Sequence, residues 1–325
     1  MKEYKWGILA PGNIANKFAQ GLASLPNAAL HAVGSRDLGR ARAFAEKHGF
    51  KKAYGSYEEL AADPEIDIIY VATLHPQHAE AAVTCLNHKK AVVCEKPFAA
   101  NAAQALEMIE CARKNKVFLM EAMWTRFLPS ICRVRELIAA GAIGPVRHVS
   151  ADFCFRAGVD PNSRLFAPES AGGALLDVGV YNISFCSMVF GEQPDNIQSH
   201  MNIGSTGVDE TTSVLLSYAG GQSALTLAAI RLNTPQDASI YGEEGYIKLP
   251  GYWCGDTVLL FNKDGAQEIK LPFGSGGFQF EALEAMACLD KSLTESPIMP
   301  LDESLAIMRT LDKIRGDNNL RYPFE

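Results

Sequence analysis

The chain has 325 residues, 48% of them hydrophobic and 21% charged, with a formal net charge of -7. That length favours two domains over a single core, and a mildly acidic chain without a basic tract excludes nucleic acid and an anionic membrane surface as partners. Eight scattered cysteines with no C-x-x-C, and no apolar stretch approaching the ~18 residues of a membrane span, predict a cytoplasmic protein with no disulfide and no metal site.

In chain order, residues 6–10 read as a buried strand, 11–13 as a turn, and a helical pattern runs to 25, where Pro26 stops it. A strand at 28–34, helices at 40–47 and 58–62, and a continuous apolar run at 66–72 follow; the last is the pattern of a strand buried on both sheet faces. Helix 78–87, strand 90–94, helix 102–115 and strand 117–121 continue the alternation. It predicts a parallel sheet of about six strands with right-handed crossovers, a doubly wound α/β domain over residues 1–121. After 121 the pattern changes to short strands between Gly, Asn and Asp turns, at 146–155, 197–203, 211–218, 222–230, 239–241, 246–249, 257–261 and 267–271. Helices are expected at 128–140, 173–190, 280–292 and 301–316, so residues 122–325 read as an α+β domain with a large, mainly antiparallel sheet.

The turn after the first strand reads Ala10-x-Gly12-x-x-Ala15, with Asn13 and Ile14 opening the helix. A dinucleotide pyrophosphate needs such a tight turn of small residues so that amides at a helix start can approach it. The fingerprint is degenerate, because its first glycine is alanine. It nevertheless follows the first strand, opens a helix and begins a βαβ unit, the context the motif requires. At the end of the second strand an acidic residue would hold a ribose 2′-hydroxyl and an arginine would accept a 2′-phosphate. Gly34-Ser35-Arg36 stands there, so NADP is expected, while Asp37 keeps NAD open.

Further on, Cys94-Glu95-Lys96-Pro97 closes the apolar run Ala91-Val92-Val93. Proline disfavours the helical conformation in the residue before it, so Lys96 is held extended at the carboxyl end of a buried strand, where open parallel sheets bind ligands. His75-x-x-His78 has the look of a metal pair, but no cysteine or carboxylate cluster accompanies it; with Thr73 it reads as a loop and helix start beside the cofactor.

A second constellation lies in Gly172-Gly173-Ala174-Leu175-Leu176-Asp177-Val178-Gly179-Val180-Tyr181. Residues four apart share a helix face, which directs the Asp177 carboxylate and the Tyr181 phenol the same way. Hydride transfer at a carbinol carbon must be matched by proton transfer at its oxygen, and a tyrosine near a cationic lysine suits that task. Tyr181 therefore reads as the acid/base and Lys96 as its electrostatic partner; the competing reading makes Tyr181 a packing residue and Asp177 a helix-start carboxylate. Trp124, Phe153, Phe155, Phe278 and Phe280 are candidates for an aromatic substrate wall, and Arg126, Arg156 and Arg164 for contact with a polar substrate.

The glycine turn, Glu95-Lys96-Pro97 and Gly172-Gly173-x-x-x-Asp177-x-Gly179-x-Tyr181, in that order, resemble the glucose-fructose oxidoreductase / inositol dehydrogenase / rhizopine catabolism (Gfo/Idh/MocA) family. Within it, 52–60, 75–78, 118–127 and 172–181 are similar to members that oxidise trans-dihydrodiols or D-xylose with NADP. The resemblance implies a Rossmann domain and an open-faced antiparallel sheet whose exposed face makes a homodimer. It implies catalytic roles for Lys96, Tyr181 and Asp177, cofactor contacts from Ala10, Gly12, Asn13, Ile14, Ser35, Arg36, Thr73, His75, His78, Glu95 and Lys96, and substrate contacts from Trp124, Arg126, Phe153, Asp177, Tyr181 and Phe278. The expected activity is NADP(H)-dependent hydride transfer at a carbinol or carbonyl carbon of a sugar or trans-dihydrodiol-like substrate. Two alternatives are an NAD-linked sugar or inositol dehydrogenase and a catalytically silent nicotinamide sensor; retention of both Lys96 and Tyr181 argues against the sensor.

Overall fold

The computed structural model describes residues 2–325, which divide into two compact units: the chain up to Trp124 with Gly274–Leu305, and Thr125–Phe273 with Ala306–Glu325. Six parallel strands form the sheet of the first unit: Tyr4–Leu9 (β1), Ala28–Gly34 (β2), Lys52–Tyr54 (β3), Ile68–Val71 (β4), Ala91–Glu95 (β5) and Leu119–Ala122 (β6). Their order, β3-β2-β1-β4-β5-β6, reverses direction beside β1, which puts the ligand crevice of a doubly wound sheet at the carboxyl ends of β1 and β4. Helices Asn13–Ala23 (α1), Leu38–His48 (α2), Tyr57–Ala62 (α3), His78–Asn87 (α4) and Ala102–Asn115 (α5) connect the strands. Every residue of β4 and β5 is buried, which is why both read as unbroken apolar runs rather than as alternations. The sequence reading has no strand at β3, whose three half-buried residues carry no periodicity of their own.

The single cut expected at 121 is replaced by a return of the chain to the first unit. There Gln279–Asp290 (α8) lies against α1: a Cβ on Gly21 would stand 2.9 Å from the Gln279 nitrogen. The Tyr4 hydroxyl donates to Asp290 at 2.7 Å, and the Leu119 amide of β6 donates to the Thr294 carbonyl at 3.1 Å. These contacts join residues far apart in the chain, and no local pattern announces them.

The second unit carries eight strands: Val146–Cys154 (β7), Asn196–Ile203 (β8), Asp209–Ser217 (β9), Ser223–Ala229 (β10), Ala238–Gly242 (β11), Gly245–Leu249 (β12), Thr257–Asn262 (β13) and Gly265–Lys270 (β14). They run in the order β14-β13-β12-β11-β7-β10-β9-β8; only the central β7–β10 pair is parallel. Helices Pro129–Ala139 (α6) and Val180–Phe190 (α7) belong to this unit, and Leu301–Asp317 (α9) begins in the first unit and continues into the second. The expectation that no stretch reaches membrane-span length needs correction. Pro168–Phe190 is long and apolar enough, but 89% of its most apolar window is buried within the fold, as for the core helix of a globular domain. All eight cysteines are free thiols.

Candidate active site

In the first unit, β1 ends in a turn that is tight because Ala10 adopts a left-handed φ of 66°. For a residue with a Cβ that conformation costs roughly 1–2 kcal/mol, a strain held where the chain must turn at once into α1. Gly12 is the N-cap of α1, with extended φ and ψ, so backbone freedom is not what the glycine supplies. It supplies space: a Cβ there would meet nothing nearer than the Ala10 carbonyl at 4.0 Å. No side chain caps α1 and its first turn holds no acidic residue, so the amides of Asn13, Ile14 and Ala15 keep the donor capacity that a helix start leaves over. Ala15 itself is fully buried, where a larger side chain would push α1 off the sheet. An open, uncapped helix start after the first strand fits a dinucleotide pyrophosphate.

Around it, Ser35 is buried and its hydroxyl accepts the Asp37 amide at 3.2 Å, while Arg36 is exposed. Asp37 is committed locally: it is the N-cap of α2 and its carboxylate accepts the Arg40 amide at 3.1 Å. Arg36 lines a cleft of about 240 Å³ with Ser56, Tyr57, Gln77, Glu80 and Thr84. At the end of β4, the Thr73 hydroxyl meets His78 Nδ1 at 2.8 Å, and the His75 and His78 rings lie 5.9 Å apart. Burial, with the neighbouring His75 and the Lys96 charge adding to it, pushes His78 well below the usual imidazole range, so it stands neutral. Glu95 is buried at the end of β5, where one oxygen accepts the Tyr70 hydroxyl and the other the Lys96 amide at 3.0 Å. Trp124 and Phe278, both buried, stack with centroids 4.5 Å apart, and Phe280 is less buried than Phe278. One metal-sized group, His31, Asp63 and Glu65, occurs among the described residues, but the Lys52 ammonium already stands 3.0 Å from Asp63 and 2.6 Å from Glu65.

In the second unit, the helix expected at 173–190 starts later and in another form: Leu175–Gly179 is a π-helical turn that passes into α7 at Val180. Such turns are uncommon and concentrate at functional sites. Asp177 lies within it, 6% exposed, and accepts the Arg164 guanidinium at 3.0 Å. Tyr181 follows in the first turn of α7, 6% exposed, with the Phe153 ring 5.2 Å and the Trp253 ring 6.5 Å from its own. Phe153 and Trp253 stack at 4.7 Å. Asn182 fastens this corner: it donates to the Leu227 carbonyl at 3.0 Å and accepts the Tyr252 hydroxyl at 2.6 Å, pinning the turn that carries Trp253.

Two expectations shift here. Arg126 is 3% exposed and bonds Ser184 through Nε at 3.0 Å and Nη2 at 2.8 Å, which ties its guanidinium to α7 and not to an open surface. Arg164, read as a candidate for a polar substrate, is the ion-pair partner of Asp177. Trp253 went unrecognised; the signal available was the adjacent aromatic pair Tyr252-Trp253 in a turn between strands.

The open α1 start, with buried Glu95 at the end of β5 and half-buried Lys96 just after it, belongs to a nicotinamide-dependent oxidoreductase, and comparison with known proteins agrees. Residues 4–123 match the oxidoreductase family with an NAD-binding Rossmann fold, and 131–248 match the GFO/IDH/MocA C-terminal domain. Over 329 residues the chain is 41% identical to trans-1,2-dihydrobenzene-1,2-diol dehydrogenase of Xenopus laevis, covering 98% of this chain and 99% of that one. The chain belongs to the Gfo/Idh/MocA oxidoreductase family and is an NAD(P)-dependent dehydrogenase or reductase. Its fold is shared by a 3-ketoreductase from Actinomadura kijaniata solved with NADP, with a TM-score of 0.85, 23% identity and coverage of 97% of this chain and 98% of that one. It is shared also by a levoglucosan dehydrogenase solved with NADH and levoglucosan, with a TM-score of 0.89, 19% identity and 98% coverage of both chains.

The open helix start carries its own test. Gly12→Ser installs a favoured N-cap whose hydroxyl occupies the α1 amides. Thermal stability is expected to hold or rise, while the dissociation constants of NADPH and NADH in a fluorescence titration rise at least ~10-fold. Unchanged cofactor affinity would remove α1 from the cofactor site.

Proposed function

We propose that the protein is an NADP(H)-dependent dehydrogenase of the CH–OH group of a cyclic diol or sugar. The observation that carries the cofactor choice is the division of labour after β2. Asp37, the residue that could hold a ribose 2′-hydroxyl, is spent on capping α2, while the exposed Arg36 lines the adjacent cleft. When bound at the α1 start, a nicotinamide would supply the hydride acceptor or donor. Tyr181 takes the carbinol proton in oxidation and returns it in reduction, and the Lys96 ammonium favours the ionised over the neutral oxygen. Asp177 keeps its carboxylate on the segment of Tyr181, balanced by Arg164.

The substrate class follows from the aromatic faces. Within the second unit, Phe153 on Trp253 beside Tyr181 suits a ring with a flat or weakly polar face; the Trp124–Phe278 stack is a separate face of the same kind within the first. The relative named for a trans-dihydrodiol, 41% identical across nearly the whole chain, supports the same class. An NAD-linked sugar dehydrogenase is the second reading, favoured by the neighbour of like fold solved with NADH and levoglucosan.

A homodimer through the open sheet face is part of this proposal. Leu225, Tyr241 and Tyr246 are 51%, 42% and 37% exposed, and Tyr246 stacks on Phe261 at 4.5 Å. An apolar and aromatic sheet face of this kind is matched by a second copy of itself. Eight free thiols support a reducing, cytoplasmic setting.

Three measurements test the reading. Arg36→Ala is expected to raise the NADPH dissociation constant ~30-fold, the loss of a charge-assisted contact, and to leave that of NADH within ~3-fold; equal losses for both cofactors would overturn the choice of NADP. In a turnover screen over D-xylose, D-glucose, inositol and a trans-dihydrodiol, Tyr181→Phe should lose ~10²–10⁴ in kcat with cofactor affinity nearly unchanged, and near-normal turnover returns Tyr181 to a packing role. Light scattering should give twice the chain mass, and a mass of one chain at micromolar concentration rules out the sheet-face dimer.

A further inference from the structure

One buried carboxyl outside the proposed reaction stands at the base of the segment that carries Asp177 and Tyr181. Asp209, the first residue of β9, has no exposed surface. Its Oδ2 accepts the Leu175 amide at 2.7 Å and the Thr212 hydroxyl at 2.6 Å, and its Oδ1 has no hydrogen-bond partner among the described residues. Leu175 is where the π-helical turn begins. Helix starts leave amides unsatisfied, and here one is met by a carboxylate from a strand distant in sequence rather than by a local cap.

The double glycine before the turn is explained by the same contacts. Gly173 has φ 115°, and a Cβ on it would lie 2.1 Å from Asp209 Oδ1, so only glycine leaves room for the carboxyl. A Cβ on Gly172 would lie 2.6 Å from the Leu165 carbonyl, closing the loop that brings Arg164 to Asp177. The Gly172 carbonyl in turn accepts the Tyr322 hydroxyl at 2.8 Å.

We propose that Asp209 is a positioning residue for the proton-transfer segment: through Leu175 and Thr212 its carboxylate fixes where the π-helical turn starts, and so where Asp177 and Tyr181 stand. The inference rests on the acid/base reading of Tyr181 given above.

Ionisation makes the role readable. Burial pushes the Asp209 carboxyl up to about 7, while the Thr212 hydroxyl, the Leu175 amide and the Arg315 charge pull against it. The other titratable group against it is Tyr322; Arg315 is itself paired with Asp312 and Glu325. Because the folded-state value lies above the unfolded value near 4, the unfolded chain releases this proton first, and folding stability falls as pH rises from ~4 towards 7 while Asp209 stays protonated in the fold. Its ionisation in the fold converts its two bonds into charge-assisted ones, which are roughly twice as strong. Global stability has therefore already fallen by the time the hold on Leu175 tightens near pH 7, and a purely structural carboxyl does not produce that later step in turnover.

The test measures kcat and KM from pH 5.5 to 9, with NADPH affinity by fluorescence, for the native protein and for Asp209→Asn, Thr212→Val, Thr212→Ser and Tyr181→Phe. Asp209→Asn is expected to lose ~10-fold in kcat at pH 8, keep NADPH affinity within ~2-fold, and flatten the rise of kcat near pH 7. Thr212→Val removes a donor that pulls the carboxyl down, so it should move that rise to higher pH, and Thr212→Ser should restore it. A native kcat and pH profile in Asp209→Asn overturns the inference. Where that variant fails to fold, the Thr212 pair decides: a rise that stays in place in Thr212→Val overturns it equally. Either failure beside an inactive Tyr181→Phe condemns the role of Asp209 alone, whereas an active Tyr181→Phe condemns the acid/base reading on which it rests.

Discussion

A carboxylate buried at a strand end is costly unless donors meet it, and Glu95 is met by the Tyr70 hydroxyl and by the amide of Lys96, the next residue in its own chain. Two things are fixed at once. The backbone of Lys96 cannot drift from β5 without breaking its bond to a buried carboxyl, and Tyr70 cannot turn from β4. Tyr70 is also stacked on Phe18 of α1, centroids 3.7 Å apart, and Phe18 packs edge-on to Trp6 of β1 at 5.4 Å. The residue that fixes the end of β5 is thereby the residue against which α1 rests. Glu281 of α8 adds to this core: fully buried and influenced by Glu95, it is pushed well above the usual carboxyl range and stays protonated beside it.

The second unit solves a different problem, that of presenting a phenol at the start of a helix with no side-chain cap. Carboxylate, amide and aromatic contacts converge on α7 from three strands and a turn: Asp209 at β9 on Leu175, the Leu227 carbonyl of β10 and the Tyr252 hydroxyl on Asn182, and Phe153 of β7 on the Tyr181 ring. Each is short-ranged and directional, so the segment is held by geometry and not by hydrophobic burial alone.

What could be read in the amino-acid sequence divides along the same line. The doubly wound sheet was legible because β4 and β5, buried on both faces, write themselves as unbroken apolar runs, and because the turn at Gly12 stands between a strand and a helix. The antiparallel sheet was legible from its turn residues. Lys96, Asp177 and Tyr181 stood out because the roles proposed for them are suggested by local spacing. Trp253, the commitment of Arg126 to Ser184 and the seat of Asp209 did not, since each is defined by a partner between 34 and 128 residues away or by a ring across the sheet. The π-helical turn at Leu175–Gly179 was equally hidden: its spacing reads as that of an α-helix, and the carboxyl that meets its first amide comes from a distant strand.

The return of Gly274–Leu305 to the first unit bears on how this chain is made. A ribosome that has released residues up to Trp124 has delivered all six strands of the parallel sheet, but β6 is its outermost strand, and the carbonyl that receives the Leu119 amide belongs to Thr294. Until that residue emerges the β6 rim stands bare, the kind of unpaired edge to which other chains add. The whole antiparallel sheet must be synthesised in the interval. The nascent protein therefore carries its nucleotide-binding half unfinished through most of translation, and a fragment cut at the end of β6 would inherit that sticky rim for good.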